Sequence, residues 1–414
     1  MQFFELLKSK SGRREIGLRL QHRTWPFSGW LAYLYRRTLI RNVKIVAVIG
    51  SLGKTTTTKA IVTAVGRKYP DKIVSNKYGV LCLSLLRVSP FSNFEIFEVA
   101  IGKPGDMKKI APIISPDVVV FTSVGTDHAP NFYSLKHVAS EKAQMLKYFR
   151  EQGIIFANGD DSLVMQQVSQ FHKKVITYGF GKNNQIRCLD YFANYNEGMN
   201  CEFEWNGEKM NCKVKLFGDK LAYPLMVAIG VARKLKFTTN EILDNIQKLT
   251  PAYGRMQVDI LPNGAIVIGN FYKASIDGIY AAFNQLKKIK NSRIYVVFGN
   301  VAYLKNPEII EEKAGEEIAS IATKAFFIGQ YEDALTRGAL AGGMKNGNIV
   351  KAENSWENIF FNLNPILEKD DFVFISSRLA QKMERLLIAL KGEVVNCKKQ
   401  HCNFYCYCKN CSLL

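Results

Sequence analysis

From residue 43 onward, short apolar and β-branched runs alternate with stretches of helical period. VKIVAVIG, FEIFEVA, DVVVFTSV, GIIFAN and KKVITYGF have the length and composition of buried strands. KTTTTKAIVTAVGRKY follows the first of them as a helix. LKHVASEKAQMLKYFR is a second helix, with Leu135, Val138, Ala139, Met145 and Leu146 on its apolar side. This βαβα rhythm predicts a mostly parallel sheet covered by helices. Residues 186–216 change period. Polar and apolar positions alternate there around EG and NG turn signals, which predicts a small antiparallel insertion. LAYPLMVAIGVARKLK and TNEILDNIQKL then close the unit as helices.

A second alternation starts near residue 251, with strands at AIVIGN, RIYVVFG, KAFFIG and DFVFISS. IDGIYAAFNQLKKI and NPEIIEEKAGEEIASIA are helical segments between them. The fold class is therefore α/β: a central domain with a mostly parallel sheet and a second, Rossmann-like C-terminal domain. The expected boundaries are a basic aromatic lead-in at 1–41, the central domain at 42–250, the C-terminal domain at 251–395 and a Cys-rich tail at 396–414. PAYGRM is the expected hinge.

The formal net charge of +20 changes this picture by favouring anionic partners: nucleotides, sugar phosphates, acidic lipid or nucleic acid. Lys and Arg are spread along the whole chain, which argues against a nucleic-acid-binding arm. The opening MQFFELLKSKSGRREIG is too charged for a signal peptide, and no run of about 18 apolar residues occurs. A cytoplasmic, reducing location is expected. In the lead-in, Trp25, Phe27, Trp30, Tyr33 and Tyr35 lie among arginines. Two readings stay open for it: a helix packed on the next domain, or an interfacial helix at an anionic membrane surface.

The first strand runs directly into Gly50-Ser51-Leu52-Gly53-Lys54-Thr55 and then a helix. This is the order that a phosphate cradle requires. Glycines let backbone N–H groups approach phosphate, and the helix N-terminus adds partial positive charge. Lys54 can reach terminal phosphates, and Thr55, with Thr56 beside it, stands where Mg²⁺ is held. ATP and Mg²⁺ are thus the expected cofactors, with an anionic small molecule or peptide as substrate. Val48 stands where the standard P-loop has its first glycine, so the motif is GxxGKTTT.

That shorter loop with its threonine run resembles the Mur ligase superfamily, and the resemblance extends from about residue 43 to about 390. FEVAIGKPGDM is similar to the family's glutamate segment, SVGTDHAPNFYSLKHVASEKAQML to its histidine and lysine block, IIFANGDD to its N-x-D-D stretch, and PAYGRMQ to its P-x-x-G-R-x-E motif. It is nearest to the branch that adds D-alanyl-D-alanine to a UDP-muramoyl tripeptide. The resemblance implies Glu98 and His128 as metal ligands and Lys142 as a carbamylated lysine at a second metal. With Lys54, these last two form the implied catalytic set. It also implies Arg255 as a nucleotide contact. The implied reaction is ATP-dependent amide-bond formation through an acyl phosphate.

Four departures accompany it. The family's N-terminal UDP-sugar domain has no counterpart in the residues before the loop. Lys220 and Leu221 stand in place of an H-N pair, Asn270 in place of a nucleotide-facing aspartate, and Gln257 and Asn300 in place of two carboxylates. They motivate an alternative reading, a nucleotide-binding pseudo-ligase scaffold acting with a partner protein. Separately, Cys397, Cys402, Cys406, Cys408 and Cys411 crowd the tail beside His401; a thiolate site for Zn²⁺ or an iron–sulfur cluster, a disordered thiol-rich tail and a lipid or redox role are the readings open for it.

Overall fold

The computed structural model describes residues 16–17, 21, 23–70, 78–126, 131–171, 174–301, 306–353, 355–398, 402, 404, 406–411 and 414. They fall into two compact units, one covering residues 16–70 and 74–250 and the other 251–414.

The first unit is built on an eight-stranded sheet. Its strands are β1 (Lys44–Ile49), β2 (Phe94–Glu98), β3 (Val118–Phe121), β4 (Ile154–Asn158), β5 (Lys174–Gly179), β6 (Ile186–Asn194), β7 (Gly198–Trp205) and β8 (Glu208–Val214). Their spatial order is β2-β1-β3-β4-β5-β6-β7-β8. The pairs from β2 to β6 are parallel; β6, β7 and β8 pair antiparallel. The change of period at residue 186 thus extends the same sheet as an antiparallel edge.

Because successive strand residues face opposite sides, the sheet has a core on each face. Val46, Val48, Val118 and Val120 pack with α2 (Lys54–Ala64) and the buried helix α7 (Ala222–Lys234). Ile45, Ala47, Ile49, Val119 and Phe121 face the other way. That side is covered by α1 (Trp25–Arg37), α3 (Tyr78–Leu86), α4 (Asp106–Ile114), α5 (Leu135–Ala143) and α6 (Ser162–Val168). The helix α8 (Thr239–Ile246) starts with a capping box between Thr238 and Glu241.

Two details differ from expectation. The helix from Leu135 ends at Ala143 and tightens into a 3₁₀ turn, Gln144–Tyr148. Leu135 is also exposed, whereas Val138, Ala139, Met145 and Leu146 are buried. Ser134 caps this helix by accepting from the His137 N–H, which leaves Leu135 in a first turn directed to solvent.

Helix α1 packs on α3 and α4 through small residues: Ser28, Gly29 and Ala32 are buried. A Cβ on Gly29 would lie 3.3 Å from Ile113 Cδ1. The helix is fastened by Arg36, which is fully buried. Its guanidinium donates to the carbonyls of Ile40, Val43, Ile114 and Ser115, and to Asp117 Oδ2 at 2.7 Å. Burial lowers its pKa to about 10, a loss that Asp117 opposes.

The second unit holds β9 (Gln257–Ile260), β10 (Ile266–Asn270), β11 (Ile294–Phe298), β12 (Lys324–Phe327), β13 (Ile349–Lys351) and β14 (Phe372–Ser376). Between them lie α9 (Ile276–Leu286), α10 (Pro307–Ala319), α11 (Glu332–Ala341) and α12 (Trp356–Leu363), and α13 (Glu384–Leu390) follows β14. The order is β13-β12-β11-β14-β10-β9, parallel except for β9 against β10. Val267, Val297, Phe326, Val373 and Ile375 form the centre of its core. The short edge strands β9 and β13 are additions to the four that the sequence pattern predicts.

Candidate functional site

Strand β1 has β2 on one side and β3 on the other, and the chain leaves its C-terminal end as the loop Gly50–Gly53. In doubly wound sheets this switch of direction opens the crevice in which ligands bind. Gly50 and Gly53 both have positive φ, 136° and 78°. A Cβ on Gly50 would stand 2.0 Å from Thr122 Oγ1, so only glycine fits. Gly53 is the N-cap of α2, and Thr57 N–H donates back to its carbonyl at 2.8 Å.

The loop is pinned to the end of β3. Ser51 N–H donates to the Ser123 carbonyl, and Thr122 Oγ1 donates to the carbonyls of Ile49 and Leu52. Sequence reading missed Thr122 and Ser123. The signal available was two hydroxyl residues ending an apolar strand in FTSVG.

Lys54 folds back over the loop, with Nζ donating to the carbonyls of Gly50 at 2.8 Å and Ser51 at 3.0 Å. Lys142 arrives from α5 and donates to the same Gly50 carbonyl at 2.9 Å. Both amines are buried. Glu98 ends β2 in register with Val48, and the next N–H, of Val99, donates to the Val48 carbonyl. The loop, Lys54, Lys142 and the strand end bearing Glu98 are thereby brought together within one unit. Thr55 and Thr56 are half-buried in the first turn of α2. His128 lies outside the described residues.

This lining suits a polyphosphate. Two ammonium groups face a helix N-terminus, and the buried Ser51 Oγ has no hydrogen-bond partner. Thr55 and Glu98 offer the oxygen donors that a hard divalent cation takes.

Neighbouring carboxylates fix the walls. Glu141, next to Lys142, is buried and accepts from Met107 N–H at the start of α4. Asp161 caps α6 through Leu163 and Val164 N–H and also accepts from Val124 N–H, beyond β3. Asp160 accepts from Phe180 and Gly181 N–H, from Asn184 and from the Tyr223 hydroxyl. Burial pushes the Asp160 pKa up, but these four donors outweigh it and hold the carboxylate below its ordinary range. Lys220 sits 5.7 Å from the Tyr223 ring centre.

In the second unit, Arg255 lies over the Tyr272 ring at 4.3 Å, and Asn270 is buried at the end of β10, opposite Ser376. The residues at the altered positions have local work. Gln257 accepts from Gly254 N–H and donates to Asp259. Asn300 accepts from Gln330 N–H, and its own N–H donates to Gln381.

The cysteine tail does not support the zinc expectation. Cys397, Cys402, Cys406, Cys408 and Cys411 do line one small cavity with Lys382 and Arg385. Yet among the described residues no three His, Cys, Asp or Glu side chains stand where they could hold one metal ion. The polar bonding is instead to protein. Arg385 donates to Cys397 Sγ, Lys382 to the carbonyls of Phe404 and Cys406, and Cys408 N–H to Glu384. Burial, with Glu384 nearby, pushes the Cys408 thiol up to about 12, favouring neutral sulfur over thiolate.

Comparison with known proteins finds similarity to one family of enzymes. Residues 48–232 match the Mur ligase middle domain. The chain is similar to the UDP-N-acetylmuramoyl-tripeptide–D-alanyl-D-alanine ligase of Borreliella burgdorferi, at 23% identity over 69% of this chain and 62% of that one. It therefore spans less than two thirds of that relative's length. The ligase of the same name from Rickettsia prowazekii is 19% identical over 86% of this chain and 79% of its own. Among solved structures, MurF from Acinetobacter baumannii superposes with a TM-score of 0.78 at 17% identity, covering 89% of this chain and 81% of that one. MurF from Thermotoga maritima in complex with ADP gives 0.77 at 21% identity, covering 89% and 84%. The mostly parallel α/β fold read from the sequence is the fold of these enzymes.

Proposed function

We propose that this chain, a Mur ligase relative by its middle domain, is an ATP-dependent ligase that joins a carboxylate to an amine. The observation that carries this reading is the meeting of Lys54 and Lys142 on the Gly50 carbonyl, beside the strand end of Glu98. A P-loop alone binds phosphate. A second lysine, brought from α5 to the same loop carbonyl, adds a side chain whose carbamate would offer oxygen ligands to a second divalent ion, and phosphoryl transfer to a carboxylate needs the charge on the transferring group neutralised in this way.

In this reading the loop amides and Lys54 hold the β- and γ-phosphates. The substrate carboxylate oxygen bonds to the γ-phosphorus as the bond to ADP breaks. The amine then bonds to the acyl carbon, loses a proton, and phosphate leaves. Thr55, Glu98 and His128 would hold Mg²⁺, and Lys142, once carbamylated, would serve a second ion. These ions supply charge neutralisation on the phosphates. Arg255 and Asn270 are proposed as nucleotide contacts. ATP, Mg²⁺ and an anionic substrate related to UDP-sugar peptides are the proposed ligands, and a cytoplasmic setting follows from them.

Incubation with ATP, Mg²⁺, bicarbonate and candidate carboxylate and amine pools tests this reading. The expected result is phosphate release that requires both substrates. Nucleotide binding without such release favours the scaffold reading, which the local engagements of Gln257 and Asn300 support.

A further inference from the structure

Helix α1 is built the wrong way round for a helix whose task is only to cover a sheet. A covering helix buries its large apolar side chains and shows its small or polar ones. Here the fully buried positions are Ser28, Gly29, Ala32 and Arg36, with Trp25 and Tyr35 half-buried, and Phe27, Trp30 and Leu34 point outward, 66%, 57% and 40% exposed. Spaced i, i+3, i+7, they form one stripe. Phe27 and Trp30 stack on each other with ring centres 6.4 Å apart. Leu39, 64% exposed, extends the apolar surface beyond the helix end.

The charged residues of the helix and its flanks have one sign: from residue 16 to residue 41 they are Arg19, Arg23, Arg36, Arg37 and Arg41, with no Asp or Glu. Arg23, Arg37 and Arg41 are exposed on or next to the helix, and Arg37 lies over the Tyr33 ring at 3.5 Å. Exposed aromatic and aliphatic side chains flanked by arginines, without a balancing acid, complement a surface that is apolar within and anionic at its face. Anionic lipid has that arrangement. The helix is also a fixed platform: the buried Arg36 ties it to the carbonyls of Ile114 and Ser115 and to Asp117.

We infer that the outer face of α1 docks the protein on anionic membrane surfaces, with Phe27, Trp30 and Leu34 entering the headgroup region and Arg23, Arg37 and Arg41 meeting lipid phosphates. No helix among the described residues is long and apolar enough to cross a membrane, so this contact is peripheral.

The test is flotation of the full chain with vesicles of equal phosphatidylcholine and phosphatidylglycerol, and with phosphatidylcholine alone, at physiological salt. The wild-type chain is expected to float with the mixed vesicles only, with tryptophan emission quenched by brominated acyl chains. The double variant Phe27→Ser, Trp30→Ser changes only exposed side chains outside the nucleotide site. It is expected to keep its melting temperature and nucleotide binding while vesicle affinity falls at least about tenfold, roughly the loss of two inserted aromatic side chains. Failure of the wild-type chain to float overturns the inference. So does equal flotation of the double variant, which would assign binding to net charge alone. A wild-type dimer that the double variant converts to monomer, without vesicle binding, would assign the face to a second copy of the chain and also overturn it.

Discussion

Lys54 and Lys142 donate to the same acceptor, the carbonyl of Gly50, at 2.8 and 2.9 Å. One comes from the helix that the loop itself begins, the other from a helix beyond β3. A phosphate brought to this loop would come within reach of the Lys54 ammonium for charge-assisted hydrogen bonds. Lys54→Ala is expected to weaken ATP binding by about 2 kcal/mol or more, some thirtyfold, read by calorimetry. Retained affinity would remove Lys54 from the phosphate site. Lys142→Ala is expected to reduce substrate-dependent phosphate release far more than ATP affinity. Equal losses in the two would count against a part in turnover.

Gly50 and Thr122 allow a sharper test of the loop. The positive φ of Gly50 and the 2.0 Å approach of a Cβ to Thr122 Oγ1 leave no room for alanine. Gly50→Ala is expected to cost about 1–3 kcal/mol of stability and most of the nucleotide affinity. Thr122→Val keeps the shape but removes two bonds to loop carbonyls, at Ile49 and Leu52. It is expected to cost about 1–2 kcal/mol and to shift ATP affinity by less than Gly50→Ala does. Denaturant midpoints and calorimetry on the two variants give the comparison.

Glu311 gives the second unit a pH dependence. It is fully buried, and it accepts from Val301 N–H at 2.8 Å. Burial raises its pKa from 4.5 to about 7. The folded chain therefore keeps a proton that the unfolded chain releases between those values, and stability falls as pH rises through that window. The full penalty, about 3 kcal/mol as an order of magnitude, is reached above about pH 7. Glu311→Gln keeps an acceptor for Val301 and removes the ionisation. Unfolding at about pH 5 and about pH 8 should show the variant gaining on wild type at the higher pH. No gain there would mean that this carboxylate is not desolvated as described.

Asp160 behaves in the opposite sense. Its depressed pKa means that it contributes stability above its ordinary carboxylate range and loses it as pH falls. Asp160→Asn replaces an acceptor of four bonds with a group that offers one acceptor oxygen and an unwanted donor. Because Asp160 is exposed and water screens it, a loss of only about 0.5–1 kcal/mol is expected at neutral pH, shrinking under acid. A constant loss at all pH values would show that shape, not charge, is what matters at Tyr223, Phe180 and Gly181.

The loop from Gly50 to Thr55 was legible because strand, glycine turn and helix are consecutive, and each residue's conformation is dictated by its neighbours. The parallel sheets were legible for the same reason: Val46 and Val48 against Ile45 and Ala47 report two buried faces from a single apolar run. Lys142 was visible only through a resemblance. Its bond to Gly50 spans 92 positions, and no local pattern encodes a contact of that range. Thr122 was invisible because a hydroxyl at a strand end looks like any turn residue until the neighbouring loop is in place. In α1 the aromatics and arginines were plain, but which face turns inward is decided by Gly29 against Ile113 and by Arg36, not by hydrophobicity. The tail misled in the other direction: crowded cysteines suggest a metal, whereas Lys382, Arg385 and Glu384 supply their surroundings from the preceding fold.

The anchoring of Arg36 bears on where this protein can be cut. A chain shortened to start at Lys44 would keep every strand and the whole nucleotide loop. It would also strip a buried cation from Asp117 and from the carbonyls of Ile114 and Ser115. Asp117 would keep Arg150 at 3.5 Å and the Ile45 N–H, but the freed carbonyls would lose their donors at about 1–3 kcal/mol each, a large part of what holds an ordinary domain folded. The residues ahead of the first strand are in this sense a keystone of the first unit, and a truncated protein that fails to bind ATP would say more about its folding than about its chemistry.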